Sequence, residues 1–444
     1  MTGSTGGNPD ERVALVRQPN YDERGVSAAL KRALLALEMN WSAVIQPGDR
    51  VVLKPNLIRE SHTRRPEEWE QIITHGSVIA SVAEAVANAL RGRGRITIAD
   101  GPQTDSDFQT IDARLGLSSL ARRISQSHPG IEIEIVDLRR ERWRTTAGTV
   151  IERTRLPDAP GGYSEVDLGP LSLFHGRNAG YYGADYDTSF TQRHHSGGRN
   201  AYLLARLALD ADVFVNLPKL KTHKKVGITV SLKNLVGING DKNYLPHFTM
   251  GTPAEGGDEF PPGVTGGSTQ SIAIRAFKRA ALAAPVVAGI IGPAVKRAGE
   301  AMWGRTSAVV RSGNWYGNDT AWRMVLDLNR ILLYFDGSCA RRTKPLRYLS
   351  IVDGIVAGDG DGPMEADAVP AGVILAGTNP AAVDLAASRL MGLDWRRIPM
   401  IREAFAEHEL PIAAFDPAEV RIVPGLGEPF RFRPHFGWRG AIEA

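Results

Sequence analysis

RVVLKPNL at residues 50–57 and ITIADGP at residues 96–102 decide the fold. Each is a short apolar run that ends in turn-forming residues, and each reads as a buried strand. Residues 78–90 between them are rich in Ala and Val and read as a helix. Arg91-Gly92-Arg93-Gly94 closes that helix with glycine where a helix C-terminus favours it. Strand, helix, strand is the pattern of a parallel βαβ unit.

The rhythm continues on both sides. Residues 12–17 read as a first strand and residues 27–36 as a helix. Residues 117–125 have helical spacing and residues 131–137 read as a further strand. It resumes with a helix over 201–209 and a strand over 213–216. Residues 270–302 read as helical with breaks, and residues 319–334 as an amphipathic helix. Strands are expected over 348–352 and 373–376, a glycine-aspartate loop over 358–363, and helices over 380–391 and 397–408. The expected class is α/β: mostly parallel sheet flanked by helices, built from βαβ units. Irregular insertions are expected to cover the carboxyl ends of the strands.

The expected organisation is a disordered tail (1–10), an N-terminal α/β unit (11–139) and a polar insertion (140–200). A core segment (201–248), a helical and loop insertion (249–316) and a C-terminal α/β unit (317–444) follow. The first insertion is rich in Gly, Tyr and Arg and reads as antiparallel strands folded over the site.

The 444 residues include 53 Lys+Arg against 49 Asp+Glu, a net charge of +4. That balance gives no case for nucleic acid, and the aromatics needed for base stacking are missing from the basic segment. The single cysteine, Cys339, excludes an intrachain disulfide, a Cys-based zinc site and a protein-held iron–sulfur cluster. Cytoplasmic residence is the expectation from this usage, which a disulfide-free exported protein would share. Residues 280–295 are apolar but too short, and too broken by proline and glycine, for a span of roughly 20 residues. No transmembrane span is expected, and a homodimer stays open as an assembly.

In open parallel sheets, ligands bind at the carboxyl ends of the strands. Lys54 and Asn56 fall at one such end and Asp100 at another. The densest polar cluster follows the strand at 213–216: Asn216, Lys219, Lys221, Thr222, His223, Lys224 and Lys225, then Ser231, Lys233, Asn234 and Gly237. Lysines, glycines and backbone N–H groups together make anion cradles. Lys54, Asn56, Lys219, Lys224, Asn234 and Gly237 are therefore expected to bind a phosphate or carboxylate. His223, Lys221 and Lys233 are expected to be catalytic, with His223 kept neutral by its lysines and acting as acid/base. Asp100, Asp359 and Asp361, flanked by small residues, are candidate ligands for Mg²⁺. His75, His194, His195 and His247 also lie in polar surroundings, without the spacing of a metal helix. No phosphate-binding GxxxxGK[ST] loop, dinucleotide GxGxxG turn or GxSxG elbow is present.

Lys54-Pro55-Asn56-Leu57, the segment from Asn216 to His223, Ser231 to Gly237, Val352-Asp353-Gly354 with Gly360 to Pro363, and Asn379-Pro380 to Asp384 fall in one order. Over about residues 51–392 that set resembles the family called "domain of unknown function 362". Many of its members carry a ferredoxin-like segment with cysteine ligands, which this single-cysteine chain lacks. The insertions at 140–198 and 249–313 exceed a minimal member. The order of motifs also bears a distant likeness to the lactate racemases, which use a nickel-pincer nucleotide. That likeness implies cofactor-binding roles for His223, Lys224, Gly227 and Lys233. The expected function is an enzyme acting on a small anionic metabolite, in a biosynthetic setting. The alternatives are a racemase- or isomerase-like enzyme with a bound metal or nucleotide, and a non-catalytic scaffold protein.

Overall fold

The computed structural model describes residues 9–146, 149–177, 179–183, 188–264, 276 and 310–444. Its centre is a large mixed sheet of eleven strands among these residues. Five neighbours run parallel, in the order Arg347–Asp361, Val213–Leu217, Arg50–Pro55, Gly94–Asp100 and Ile131–Asp137. Beyond Arg347–Asp361 the strand Val373–Gly377 runs antiparallel, then Arg12–Arg17 and the short edge strand Arg421–Val423 follow.

Successive strand residues serve opposite faces. Leu53, Ile96, Ile98, Val213 and Val215 pack under the helices Glu23–Ala36, Gly76–Leu90 and Leu117–Ser127. Val52, Ala99 and Phe214 face the other layer, built on Ala321–Tyr334 and Pro380–Met391. Asn379 caps the latter helix through its side chain, and Gly392 ends it in the left-handed conformation (φ 76°). A side chain at Gly392 would collide with the carbonyl of Phe430.

Three expected elements differ. Residues 201–209 form a strand, Ala201–Ala205, and one helical turn, Arg206–Leu209, because the strand pairs antiparallel with Tyr163–Asp167 of the insertion. The glycine-aspartate run at 358–363 is mostly strand. The strand Arg347–Asp361 is fifteen residues long, and its end pairs with Glu365–Val369. Asp and Gly there read as a turn from composition alone, but pairing holds them extended. Residues 397–408 form short turns and the four-residue helix Pro399–Arg402 rather than one helix. The helices expected over 270–302, and the apolar stretch 280–295, lie outside the described residues apart from residue 276. No described helix is long and apolar enough to cross a membrane.

The polar insertion forms a hairpin, Glu141–Thr146 with Thr149–Arg155, tied to the body by Trp143 N–H donating to the carbonyl of Thr104 at 2.8 Å. One sheet thus takes strands from the segments around 11–139, 201–248 and 317–444.

Candidate functional site

Lys54 and Asp100 close neighbouring parallel strands at their carboxyl ends. The Lys54 ammonium meets Asp100 Oδ1 at 2.7 Å, with both side chains almost fully buried. Lys54 also donates to the carbonyl of Pro55 at 2.9 Å and to Asn234 Oδ1 at 3.3 Å. Asp100 accepts the backbone N–H groups of Leu57 (2.6 Å) and Gly101 (2.8 Å). Burial pushes the Lys54 pKa down, and the Asp100 charge opposes that shift. Gly237 packs against the pair; a Cβ there would fall on Asp100 Oδ1 and 2.7 Å from the Lys54 nitrogen.

A chain of carboxamides braces this corner. Asn234 donates to Asn216 Oδ1 at 2.7 Å and to the carbonyl of Lys54 at 3.1 Å. Its own oxygen accepts from Asn56 at 2.9 Å. Asn216 donates onward to the Tyr348 hydroxyl and the Ser231 carbonyl. Asn234 is therefore saturated by protein partners, whereas Asn56 spends one N–H on Asn234 and its oxygen on Lys221.

Asn234 and Lys233 sit on the helical turn Ser231–Asn234. Asp384, from the helix Pro380–Met391, accepts the N–H groups of Ser231 (2.7 Å) and Leu232 (3.3 Å) at the start of that turn. Asp384 is fully buried, and burial raises its pKa to about 8. Asp353 plays a similar part nearby. It takes the Lys219 ammonium at 2.8 Å, the Tyr21 hydroxyl at 3.0 Å and the His75 N–H at 2.9 Å.

Lys219 and Lys221 are fully buried and do not line the cleft. Lys221 donates to Asn56 Oδ1 at 3.1 Å and to the carbonyl of Ile72. Burial, then the charges of Lys219 and Lys233, push its pKa well below the ordinary lysine range.

Lys54, Asn56, Asp100, His223, Lys224, Lys233, Asn234 and Gly237 do converge. They line a cleft of about 430 Å³. Lys225, Lys242 and His247 join them, and Trp143, Val150, Phe248, Ile58 and Met364 supply apolar wall. The carboxylates on the lining are Asp100 and Asp105, against five lysines. Burial, with neighbouring lysines, lowers Lys233 and Lys225 to about 7 and Lys242 to about 8. Lys242 is held by the carbonyls of Gly101 (2.9 Å), Val236 (3.3 Å) and Asn239 (3.4 Å). Lys225 donates to the carbonyl of Ser312 and lies 4.9 Å over the Phe248 ring. Among the described residues the ammonium groups of Lys224 and Lys233 make no hydrogen bond or ion pair.

The two cleft histidines have opposite tautomers. His223 Nδ1 accepts the N–H of Lys225 at 3.0 Å, so Nε2 carries the proton. Burial, then the charges of Lys233 and Lys224, hold the ring neutral. In that form its Nδ1 is already taken by Lys225, and Nε2–H is a donor rather than an acceptor. His247 Nδ1 lies 2.8 Å from the carbonyl of Leu245, so Nδ1 carries the proton and Nε2 accepts. Burial, then Lys225 and Lys233, lower its pKa to about 3.

The aspartates expected as a magnesium set do not come together. Asp359 is bound by the Arg433 guanidinium at 2.8 and 3.1 Å. Asp361 accepts the N–H of Phe436 at 3.3 Å, and neither residue lines the cleft. Asp100 is neutralised by Lys54. Among the described residues no three or more His, Cys, Asp or Glu side chains could hold a metal ion together. His75 and His195 lie elsewhere: His75 is stacked at 3.7 Å on Tyr21, and His195 is buried against Phe174, Tyr181 and Tyr202. Lys242 went unread in the sequence, although six of the chain's 11 lysines fall within residues 219–242, and His247 was noted there only as one of several histidines in polar surroundings.

Residues 177–389 match the model of the family described as "Domain of unknown function (DUF362)". The thylakoid-associated protein sll1697 of Synechocystis is 28% identical over 243 residues, covering 54% of this chain and 55% of that protein. The chain thus spans about half the length of this curated relative. Among solved structures, a protein from Thermotoga maritima aligns over 76% of this chain and 52% of its own, at 11% identity and a TM-score of 0.33. The lactate racemase apoprotein from Thermoanaerobacterium thermosaccharolyticum aligns over 87% of this chain and 59% of its own, at 12% identity and a TM-score of 0.31. The DUF362 match takes in His223, Lys224, Lys233, Asp353 and Asp384. Lys54 and Asp100 lie before it.

Proposed function

We propose that this chain, whose residues 177–389 match DUF362, is an enzyme acting on a small anionic metabolite bearing phosphate or carboxylate. The carrying observation is the charge of the cleft. Five lysines line it against two carboxylates, and two of the ammonium groups lack partners among the described residues. A desolvated cation without a partner is costly, and an anion entering the cleft relieves that cost. Lys224 and Lys233 bind the anion. Lys54 is spent on Asp100, and the pair braces the strand ends behind them. His223 offers its Nε2–H to a substrate oxygen. A concave, partly apolar site of this volume suits a small molecule rather than a polymer backbone. Cys339, an exposed free thiol, fits a cytoplasmic setting.

Thermal unfolding with inorganic phosphate tests this reading. A ligand at a hundredfold excess over its Kd adds about 2.7 kcal/mol. The melting temperature is expected to rise by several degrees with phosphate, and the rise to vanish in Lys224→Ala/Lys233→Ala. That double variant should itself fold, because it removes two unpaired charges. No rise in the wild type, or a full rise in the double variant, contradicts the proposal.

A further inference from the structure

Lysine is scarce in this chain. It occurs 11 times against 42 arginines. Exposed ion pairs are made with arginine, as at Arg50–Asp212, Arg95–Glu132 and Arg341–Glu409. Among the described residues lysine enters two ion pairs, both buried: Lys54–Asp100 and Lys219–Asp353. Yet five lysines line the one cleft. Arginine stays charged throughout the physiological range and grips phosphate and carboxylate in two places at once. Lysine is the basic side chain that can give up its proton and become a nucleophilic amine. A site needing only positive charge could have used the residue that serves the surface.

The cleft lysines also divide by their partners. Lys54 is fixed by Asp100, Lys225 by the Ser312 carbonyl, and Lys242 by three backbone carbonyls. Lys233 lines the cleft on a braced turn, and its nitrogen has no partner among the described residues. Around it stand Lys242 and Lys54, whose charges oppose its protonation. An amine desolvated beside other cations is the arrangement that activates lysine toward carbonyl carbon.

We infer that Lys233 is a nucleophilic amine that forms an imine with the carbonyl carbon of an anionic substrate, an oxo acid or a phosphorylated aldehyde or ketone. This rests on the anion-binding reading above and names its substrate class. The Nζ lone pair attacks the carbonyl carbon and forms the C–N bond. The carbonyl π pair moves to oxygen, which is protonated. The resulting carbinolamine then loses water, whose two hydrogens come in net from the amine, so no oxidant or reductant is consumed. Lys224 holds the anionic group, and His223 Nε2–H is a donor for the carbonyl oxygen. Burial with the charges of Lys242 and Lys54 lowers the Lys233 pKa to about 7, so the free amine is present near neutral pH.

The test is reductive trapping of the full chain at pH 7. The probes are glyoxylate (carboxylate), glycolaldehyde phosphate (phosphate) and uncharged glycolaldehyde, each with sodium cyanoborohydride and read by peptide mass spectrometry. One adduct per chain is expected at Lys233 with one or both charged probes. Its yield should exceed that at the exposed Lys31 and Lys344 by at least tenfold, and exceed the uncharged probe's by as much. Which charged probe reacts identifies carboxylate or phosphate as the anchor. Lys233→Arg should lose the adduct while keeping the wild-type circular dichroism spectrum. Adducts spread over Lys31 and Lys344 with none at Lys233 overturn the inference, as does an undiminished adduct at another cleft lysine in Lys233→Arg. A phosphate shift without a Lys233 adduct removes the imine and leaves the anion reading standing. Absence of both removes the two together.

Discussion

Gly237 controls the most tightly packed contact of the site. Its backbone runs over the Lys54–Asp100 pair so closely that a methyl group would occupy the place of Asp100 Oδ1. Its carbonyl accepts the Gly101 N–H at 2.9 Å, which fixes that approach. Gly237→Ala must therefore part the pair or move the loop. Separating a buried ion pair leaves charges without compensation, a cost of about 3–5 kcal/mol. A loss of that size is expected in urea unfolding, without loss of secondary structure in the circular dichroism spectrum. A wild-type midpoint would mean that the loop yields freely and the pair is not held by it. This glycine was legible in the sequence as part of a motif. Its reason was not, because the contact joins positions more than a hundred residues apart.

At the scale of elements, the turn Ser231–Asn234 is too short to be stable alone. Asp384 supplies the missing acceptors at its start, from a helix roughly 150 residues later. Asp384→Ala leaves two buried N–H groups unsatisfied, at about 1–3 kcal/mol, and frees the turn that carries Lys233. Reduced stability and a weakened phosphate shift are both expected. Asp384→Asn keeps an acceptor oxygen and should preserve both. The pH dependence has a definite sign. Burial raises the folded pKa to about 8 from the ordinary 3.8, so the folded state holds more protons than the unfolded state between those values. Stability from this group falls as pH rises across that window and is fully lost above it. Denaturation at pH 5 and pH 9 should therefore show Asp384→Asn gaining on the wild type at the higher pH. An equal difference at both pH values would contradict the buried assignment. Most parallel strands and the helices beside them were legible, because their apolar runs and caps are local. The strand at Ala201–Ala205 was not, since its partner lies in the insertion. The extended end of Arg347–Asp361 was hidden by Asp and Gly, whose turn preference pairing overrides. Lys219 read as an anion ligand from its place in a lysine-rich run, and Asp353 and Asp384 stood in the sequence only as parts of motifs. They are instead braces, and only long-range partners reveal that.

Over the whole molecule, the sheet supplies the cationic floor and the insertion supplies the cover. The hairpin Glu141–Thr146 with Thr149–Arg155 places Trp143 and Val150 on the cleft, and the two pack as a small cluster apart from the main cores. Arg153 lies 4.5 Å over the Trp143 ring. The base of the hairpin is already closed, because Leu156 N–H donates to the carbonyl of Arg140 at 2.9 Å. Residues 141–155 can thus be replaced by two glycines without stretching the chain. None of the cleft lysines is on the hairpin, so inorganic phosphate should stabilise the shortened protein as it does the wild type. Phenyl phosphate carries the same anion with an aromatic body, and burying that body against Trp143 adds apolar contact. In the wild type its thermal shift should exceed that of inorganic phosphate. In the shortened protein, and in Trp143→Ala, the two shifts should become equal. A phenyl advantage that survives both changes would assign the apolar contact to Phe248 and Ile58, and the hairpin would then have no part in choosing the substrate.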